Sequence, residues 1–170
     1  MSSFAQGHPS GQSEDAIAKF SKLKKAPIGP TGPTGPIFEW PVRVYWEDTD
    51  AGGIVFYANY LKFFERSRTE WLRSLGLAQQ HLRDSTGGMF IVSETNVRYL
   101  RSARLDDELI ITSRLLQCGR ASMTIEQQAL LKSEHGNIVL CDGSIRIGWV
   151  NAATLQAARM PSAIFDSLKN

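Results

Sequence analysis

The alternation of hydrophobic and polar positions predicts one strand followed by one long helix in the first half of the chain. From Phe38 to Trp46 apolar residues, Val42 and Val44 among them, alternate with polar ones, which is the period of a strand. From Tyr60 the period lengthens to that of a helix, which we expect to stop at Gly76. The predicted buried face of this helix is mostly aromatic and consists of Tyr60, Phe63, Phe64, Ser67, Trp71 and Leu75.

The second half of the chain is rich in strand patterns. Residues 77–86 indicate a short helix or lid, and residues 161–170 could add a terminal helical turn. Four predicted strands lie between them: Met89–Leu100, Glu108–Gln117, Arg120–Lys132 and Ile138–Asn151. The connections at 118–119 and 133–137 have hairpin length. The order of one strand, one helix and four strands predicts an α+β hot-dog fold, with an antiparallel five-stranded sheet wrapped around one long helix.

The open edge of such a sheet calls for a partner chain, so we expect a homo-oligomer, either a dimer or a tetramer. Residues 1–36 are rich in Ser, Gly, Pro and Lys and end in GPTGPTGPI, which predicts a disordered tail before a single domain over residues 37–170. Within this tail, Ala16–Lys25 has a basic amphipathic pattern that could touch an anionic membrane surface or a protein partner.

Composition narrows the class of function. The net charge of +2 is too small to indicate nucleic-acid binding, and no segment combines clustered Lys and Arg with aromatic residues. The chain has no apolar run long enough for a membrane span or a secretory signal, so we expect a cytoplasmic protein. Cys118 and Cys141 lack metal-ligand spacing and are expected to be buried, reduced thiols.

The candidate chemistry lies in residues 46–60, WEDTDAGGIVFYANY, which we interpret as an acidic turn between the first strand and the helix. Gly52 and Gly53 allow a sharp turn after Asp50, and Asn59 is a reasonable N-cap. A carboxylate would then lie beside the unpaired N–H groups of a helix start, which attract developing negative charge. A base or nucleophile beside an oxyanion site is what acyl-group hydrolysis requires.

Other interpretations of this acidic turn fail on spacing. A calcium loop that begins at Asp48 requires a bidentate Glu where Asn59 stands, and a phosphatase loop requires Thr or Val where Gly52 stands. Asp48 is expected only to cap the turn, the role that remains the structural alternative for Asp50 as well. His81 and His135 belong to no catalytic pair and are expected to face solvent.

The segment RVYWEDTDAGGIVFYANYLKFFERSRTEWL resembles the 4-hydroxybenzoyl-CoA thioesterase family, most closely its Tol-Pal-associated, YbgC-like acyl-CoA thioesterases. The resemblance extends from Trp40 to about Leu168. It implies hydrolysis of an acyl-CoA to a free acid and CoA, without a metal or another cofactor. It also implies that Asp50, expected against the aromatic stripe, is the catalytic base or nucleophile, and that the backbone N–H of Tyr57 polarises the thioester carbonyl.

Two positions depart from the YbgC-like pattern. Many such members carry His where Tyr57 stands, whereas the aryl-CoA branch often has Tyr. A backbone N–H is unaffected by this exchange, but a contribution from a His side chain would be lost. Ser102 stands where relatives commonly have Pro, which concerns the shape of that loop alone.

The phosphates of CoA need cations and hydrogen-bond donors, for which Arg104, Arg120 and Ser122 are candidates at strand ends. The charged helix residues Glu65, Arg66, Arg68 and Glu70 are expected to form a solvated face.

The alternative function is an acyl-CoA-binding or protein-interaction module at the inner membrane, in contact with cell-envelope or lipid-synthesis proteins and with vestigial catalysis. A dehydratase or isomerase of the same fold is disfavoured because its histidine is missing. The pattern predicts neither acyl chain length nor pathway.

Overall fold

The computed structural model describes residues 35–168, and the predictions for the tail before residue 35 lie outside them. Five strands and three α-helices follow in the order β1, α1, α2, β2, β3, β4, β5, α3. The strands are β1 Phe38–Arg43, β2 Gly88–Tyr99, β3 Glu108–Cys118, β4 Ser122–Leu131 and β5 Ile138–Asn151. The helices are α1 Asn59–Ser74, α2 Gln79–Thr86 and α3 Ser162–Ser167. The predicted element order is confirmed.

The strands form one antiparallel sheet in the order β1-β3-β4-β5-β2. Strands β3, β4 and β5 are joined as the predicted hairpins, whereas β2 crosses to the far side and pairs with β5. Among the described strands, β1 and β2 therefore each pair along a single edge. The five-stranded hot-dog sheet is confirmed.

Helix α1 lies against the inner face of this sheet and packs on β1, β3 and β4. Five of the six residues predicted for its buried face are buried, and Leu75 at its end is half-buried. They meet inward side chains of the sheet, which include Ile111, Ile125, Ile145 and Ile147. The helix ends as predicted, because Gly76 has a φ of 77° and the N–H of Leu77 donates to the carbonyl of Leu72. Burial of the aromatic face of α1 against the sheet therefore forms the centre of the hydrophobic core.

Two boundaries differ from the prediction at the junction of β1 and α1. Strand β1 ends at Arg43, because residues Trp46–Asp48 turn as a 3₁₀ helix, and Trp46 is 79% exposed instead of facing inward. Asn59 is the first residue of α1 and not its N-cap, a position taken by Ala58. Both differences arise because the chain folds back on itself before the helix begins.

The C-terminal segment closes one end of the core. The predicted terminal turn is helix α3, which buries Ile164, and Leu168 is buried just after it. No helix within residues 35–168 is both long enough and apolar enough to cross a membrane.

Candidate active site

The segment that carries Asp50 is a small antiparallel turn fixed by backbone hydrogen bonds. Thr49 pairs with Val55, and the N–H of Asp50 donates to the carbonyl of Ile54 at 2.9 Å. The N–H of Gly53 donates to the carbonyl of Asp50 at 3.0 Å, and Gly53 has a φ of 72°, which suits glycine. The predicted acidic turn therefore exists, and its glycine is needed for the geometry.

The carboxylate of Asp50 is held at one oxygen and free at the other. Its Oδ1 accepts the N–H of Gly52 at 2.8 Å, while Oδ2 accepts no hydrogen bond from residues 35–168. The side chain is exposed in the single chain, so the expectation that it lies against the aromatic stripe is wrong, because that stripe faces the sheet. A carboxylate with one fixed and one open oxygen can accept a proton or attack an electrophile.

Asp48 has the structural role expected of it. Its side chain is 3% exposed, and its Oδ2 accepts the N–H of Tyr45 at 3.0 Å. Its carbonyl accepts the N–H of Phe56 and the side-chain Nδ2 of Asn59, each at 2.9 Å. Asp48 therefore connects the acidic turn to the first residue of α1.

Tyr57 lies between these two donors to Asp48. Its N–H has no acceptor among residues 35–168, and its side chain is 61% exposed. Its ring contacts those of Phe56 and Tyr99, with centroids 4.6 and 6.0 Å away. The same short segment thus presents an unpaired N–H close to a helix start and, two residues beyond Asp48, an open carboxylate oxygen.

The loop before β3 braces this segment. The carbonyl of Ala103 accepts the N–H of Val55 at 2.9 Å, and its N–H donates to the hydroxyl of buried Tyr60 at 3.0 Å. Burial raises the pKa of Tyr60, while this hydrogen bond lowers it. Ala103 anchors the loop, and Ser102, at the position where relatives commonly have Pro, is exposed.

The three cations and donors proposed for CoA lie at two separate places. Arg104 pairs through its backbone with Ile54 and is therefore next to the acidic turn. Arg120 and Ser122 lie in the β3–β4 hairpin, at the other end of β3. Ten residue steps separate the ends of β3, Glu108 and Cys118, so the two places are roughly 30 Å apart within one chain.

Two of the remaining polar candidates differ from their predictions. His81 and His135 are exposed and Cys141 is buried, as expected, whereas Cys118 is only partly buried. No group of metal-binding side chains occurs within residues 35–168. The second difference is Arg68, predicted to be solvated but only 9% exposed, because its spacing from Phe64 and Trp71 places it on the inner face of α1. That spacing was the signal by which the sequence could have identified it.

The comparisons with known proteins agree with this fold. Residues 44–168 match the thioesterase-like superfamily. The acyl-CoA thioesterase YbgC of Haemophilus influenzae is 36% identical over 135 residues, which are 78% of this chain and 96% of that protein. The crystal structure of a probable thioesterase from Bartonella henselae is 31% identical, with a TM-score of 0.68, and covers 74% of this chain and 100% of its own.

A more distant structure confirms the hot-dog architecture. It is a 4-hydroxybenzoyl-CoA thioesterase variant in complex with 4-hydroxybenzoyl-CoA, 16% identical with a TM-score of 0.73 over 78% of this chain and 98% of its own. At that identity it supports the fold alone. From the superfamily match and the YbgC relatives together, the chain belongs to the thioesterase-like superfamily, in its YbgC-like branch, and is a thioester hydrolase.

Proposed function

We propose that this hydrolase cleaves an acyl-CoA to a free acid and CoA, with Asp50 and the Tyr57 N–H as its reacting groups. The observation that carries the proposal is the short segment between β1 and α1, which presents an open carboxylate oxygen and an unpaired N–H. The names of the YbgC relatives supply the acyl-CoA substrate class.

The geometry supports separate roles for the Tyr57 N–H and the Asp50 carboxylate. The thioester carbonyl oxygen accepts the N–H of Tyr57, which stabilises the negative charge that develops on that oxygen. Asp50 either removes a proton from water as the water attacks the carbonyl carbon, or attacks that carbon itself. In both routes the C–S bond breaks, and the CoA thiolate leaves and takes up a proton. The water route releases the acid directly, whereas the covalent route needs a second hydrolysis step.

The CoA contacts imply a second copy of the chain. Arg104 can reach a phosphate near the acidic turn of its own chain, because its backbone pairs with Ile54. Arg120 and Ser122 lie at the far end of β3, so they serve the same CoA only from a partner chain. We therefore propose a dimer at least, and a stable, fully active monomer in sedimentation experiments would contradict it. A tetramer, a cytoplasmic location and contacts with Tol-Pal, inner-membrane or lipid-synthesis proteins stay predictions.

The decisive experiment follows CoA release with a thiol reagent for the wild type, Asp50→Asn and Asp48→Asn across short-chain, long-chain and aromatic acyl-CoAs. Asp50→Asn is expected to lose activity by about 100-fold or more, because it removes the base or nucleophile. Asp48→Asn is the matched control, since an amide oxygen can still accept the N–H of Tyr45, and it is expected to lose only a few-fold.

Two results would overturn the proposal. If Asp50→Asn is as active as the wild type, another group performs the chemistry. If the wild type binds acyl-CoA but releases no thiol from any substrate, the alternative of a binding module with vestigial catalysis replaces the enzyme.

A further inference from the structure

Arg68 is a buried cation without a carboxylate partner. It is 9% exposed, and none of the ion pairs within residues 35–168 includes it. Its NH1 donates to the amide oxygen of Gln127 at 2.7 Å. Burial lowers the pKa of its guanidinium, and the charge of Glu65 opposes this shift. A buried charge that only neutral groups contact is costly unless something else compensates it.

A network in the core holds this guanidinium in place. Gln127 is fully buried, and its Nε2 donates to the carbonyl of Phe64 at 3.0 Å and to the hydroxyl of Ser113 at 2.8 Å. The Ser113 hydroxyl also lies 2.9 Å from that of Ser67. Every polar atom of the Gln127 side chain is therefore engaged, so the network fixes the orientation of Arg68, while its neutral members place no carboxylate in contact with the guanidinium.

The guanidinium lines a cavity of about 200 Å³ between α1, α2 and β2. Its walls are mixed, with apolar residues on the β2 side, and the lining residues are Glu65, Arg68, Thr69, Leu72, Gln79, Phe90, Ile91, Val92 and Ile147. Glu65 is exposed, and its Oε1 accepts the hydroxyl of Thr69 at 2.8 Å. Among the polar residues of the lining, Arg68 is therefore the most buried, and the space beside it suits a short chain with an anionic end.

Three of the residues that line the cavity lie on a face of α1 that begins near the candidate active site. Leu61, Glu65, Arg68 and Leu72 recur at spacings of four, three and four residues, so they form one stripe along α1. Leu61, near the helix start, is 39% exposed. Nine residue steps lead from Asn59 to Arg68, which is about 13 Å along the axis, and helical side chains lean back toward the N-terminus. An acyl group whose carbonyl meets the Tyr57 N–H can follow this stripe to Arg68.

We infer that Arg68 selects acyl groups that end in a carboxylate, so that the substrate is the CoA monothioester of a dicarboxylic acid. This inference rests on the proposed function, because it places the thioester carbonyl at Tyr57. The distal carboxylate enters the cavity beside the apolar wall of β2, accepts the remaining N–H groups of Arg68 and compensates its charge.

The test compares acyl-CoAs that differ only in the distal group. Adipoyl-CoA is paired with hexanoyl-CoA, and suberoyl-CoA with octanoyl-CoA, and kcat/KM is measured for each. The wild type is expected to favour the dicarboxylic member by about tenfold to a hundredfold, the discrimination expected from a charge-assisted contact in a desolvated site. Arg68→Met should bring this ratio close to one, and Arg68→Lys should restore part of it.

Arg66→Met is the matched control, because Arg66 is an exposed arginine on the same helix outside the cavity, and its ratio should equal that of the wild type. The wild-type ratio is informative even if Arg68→Met does not fold. A wild-type ratio at or below one, with hexanoyl-CoA still hydrolysed, overturns the inference and leaves the proposed function intact. Hydrolysis of no acyl-CoA overturns both. A high ratio that persists in folded Arg68→Met also overturns the inference, because another group then selects the carboxylate. If Arg68→Met dissociates an oligomer while the ratio stays unchanged, the inference fails as well, because Arg68 then has another partner.

Discussion

Asn59→Asp tests whether the start of α1 positions the reacting groups. The side chain of Asn59 is 5% exposed, and its Nδ2 donates to the carbonyl of Asp48 at 2.9 Å. The substitution keeps the shape but replaces this donor by an oxygen that the carbonyl repels. The carbonyl then keeps only the N–H of Phe56, which precedes Tyr57, so the turn that carries Asp50 is no longer fixed on both sides of Tyr57.

The substitution is expected to destabilise the fold. Loss of one hydrogen bond costs about 1 kcal/mol, and the new carboxylate is buried beside a carbonyl oxygen, which adds a desolvation cost. A carboxylate in the first turn of a helix returns only roughly 0.3 to 1 kcal/mol. A net loss of about 1 to 3 kcal/mol should lower Tm by about 3 to 10 °C.

The expected effect on catalysis in the folded protein is separate, because the proposed reacting groups depend on their relative position. A displacement of about 1 Å can cost on the order of a hundredfold in rate, so kcat should fall by roughly tenfold to a hundredfold while KM changes little. Stopped-flow or thiol-reagent assays on folded protein measure kcat, and calorimetry measures Tm. Asn59→Ser, which can still donate a hydrogen bond, should recover part of the activity. Full activity in Asn59→Asp, or a loss that merely follows the unfolded fraction, would refute the positioning role.

Two further predictions concern stability. Gly88→Ala should lower the free energy of unfolding by about 1 to 3 kcal/mol through overpacking, because the new Cβ would lie 2.3 Å from the ring of buried Trp149. Gly119→Ala is the control and should be tolerated, because its Cβ would lie 3.4 Å from the nearest atom. A urea titration of both variants measures the difference. Burial raises the pKa of the Cys141 thiol to about 12 from an ordinary 9.0, with the charge of Asp142 adding to the shift. The folded state therefore keeps a proton that the unfolded state loses, so stability should fall as pH rises through this range. Cys141→Ala should reduce the slope of unfolding free energy against pH, and an unchanged slope would contradict the assignment.

Local sequence patterns predict most of the fold. The aromatic face of α1 could be predicted because its residues recur with the helical period and must be buried against the sheet. The hairpins could be predicted from short connections between β3, β4 and β5. The pairing of β2 with β5 could not, because the connection over residues 100–107 is compatible with either side of the sheet. The pairing of β2 depends on which edge of the sheet α1 leaves uncovered.

The turn that carries the candidate site was predictable, and its environment less so. Asp50 lies in the predicted acidic turn and Tyr57 just before α1, but the motif could not show that both are exposed in a single chain. The burial of Arg68 could be predicted from its spacing, but its partner Gln127, which in turn contacts Ser113, could not, because both come from distant strands. Contacts between residues far apart in sequence are what a local pattern does not contain.

The exposure of the candidate site is itself an argument about assembly. Electrostatic catalysis at a thioester is effective in a site that excludes water, yet Asp50 and Tyr57 face solvent in one chain. The cavity beside Arg68 also borders β2, whose outer edge has no strand partner among the described residues. A second copy that extends the sheet from β2 would cover this edge and enclose the cavity. Because Arg120 and Ser122 lie too far along β3 to serve the acidic turn of their own chain, the same second copy would also bring these proposed CoA contacts to it. One assembly would thus account for the open edge, the exposed carboxylate and the separation of the proposed CoA contacts.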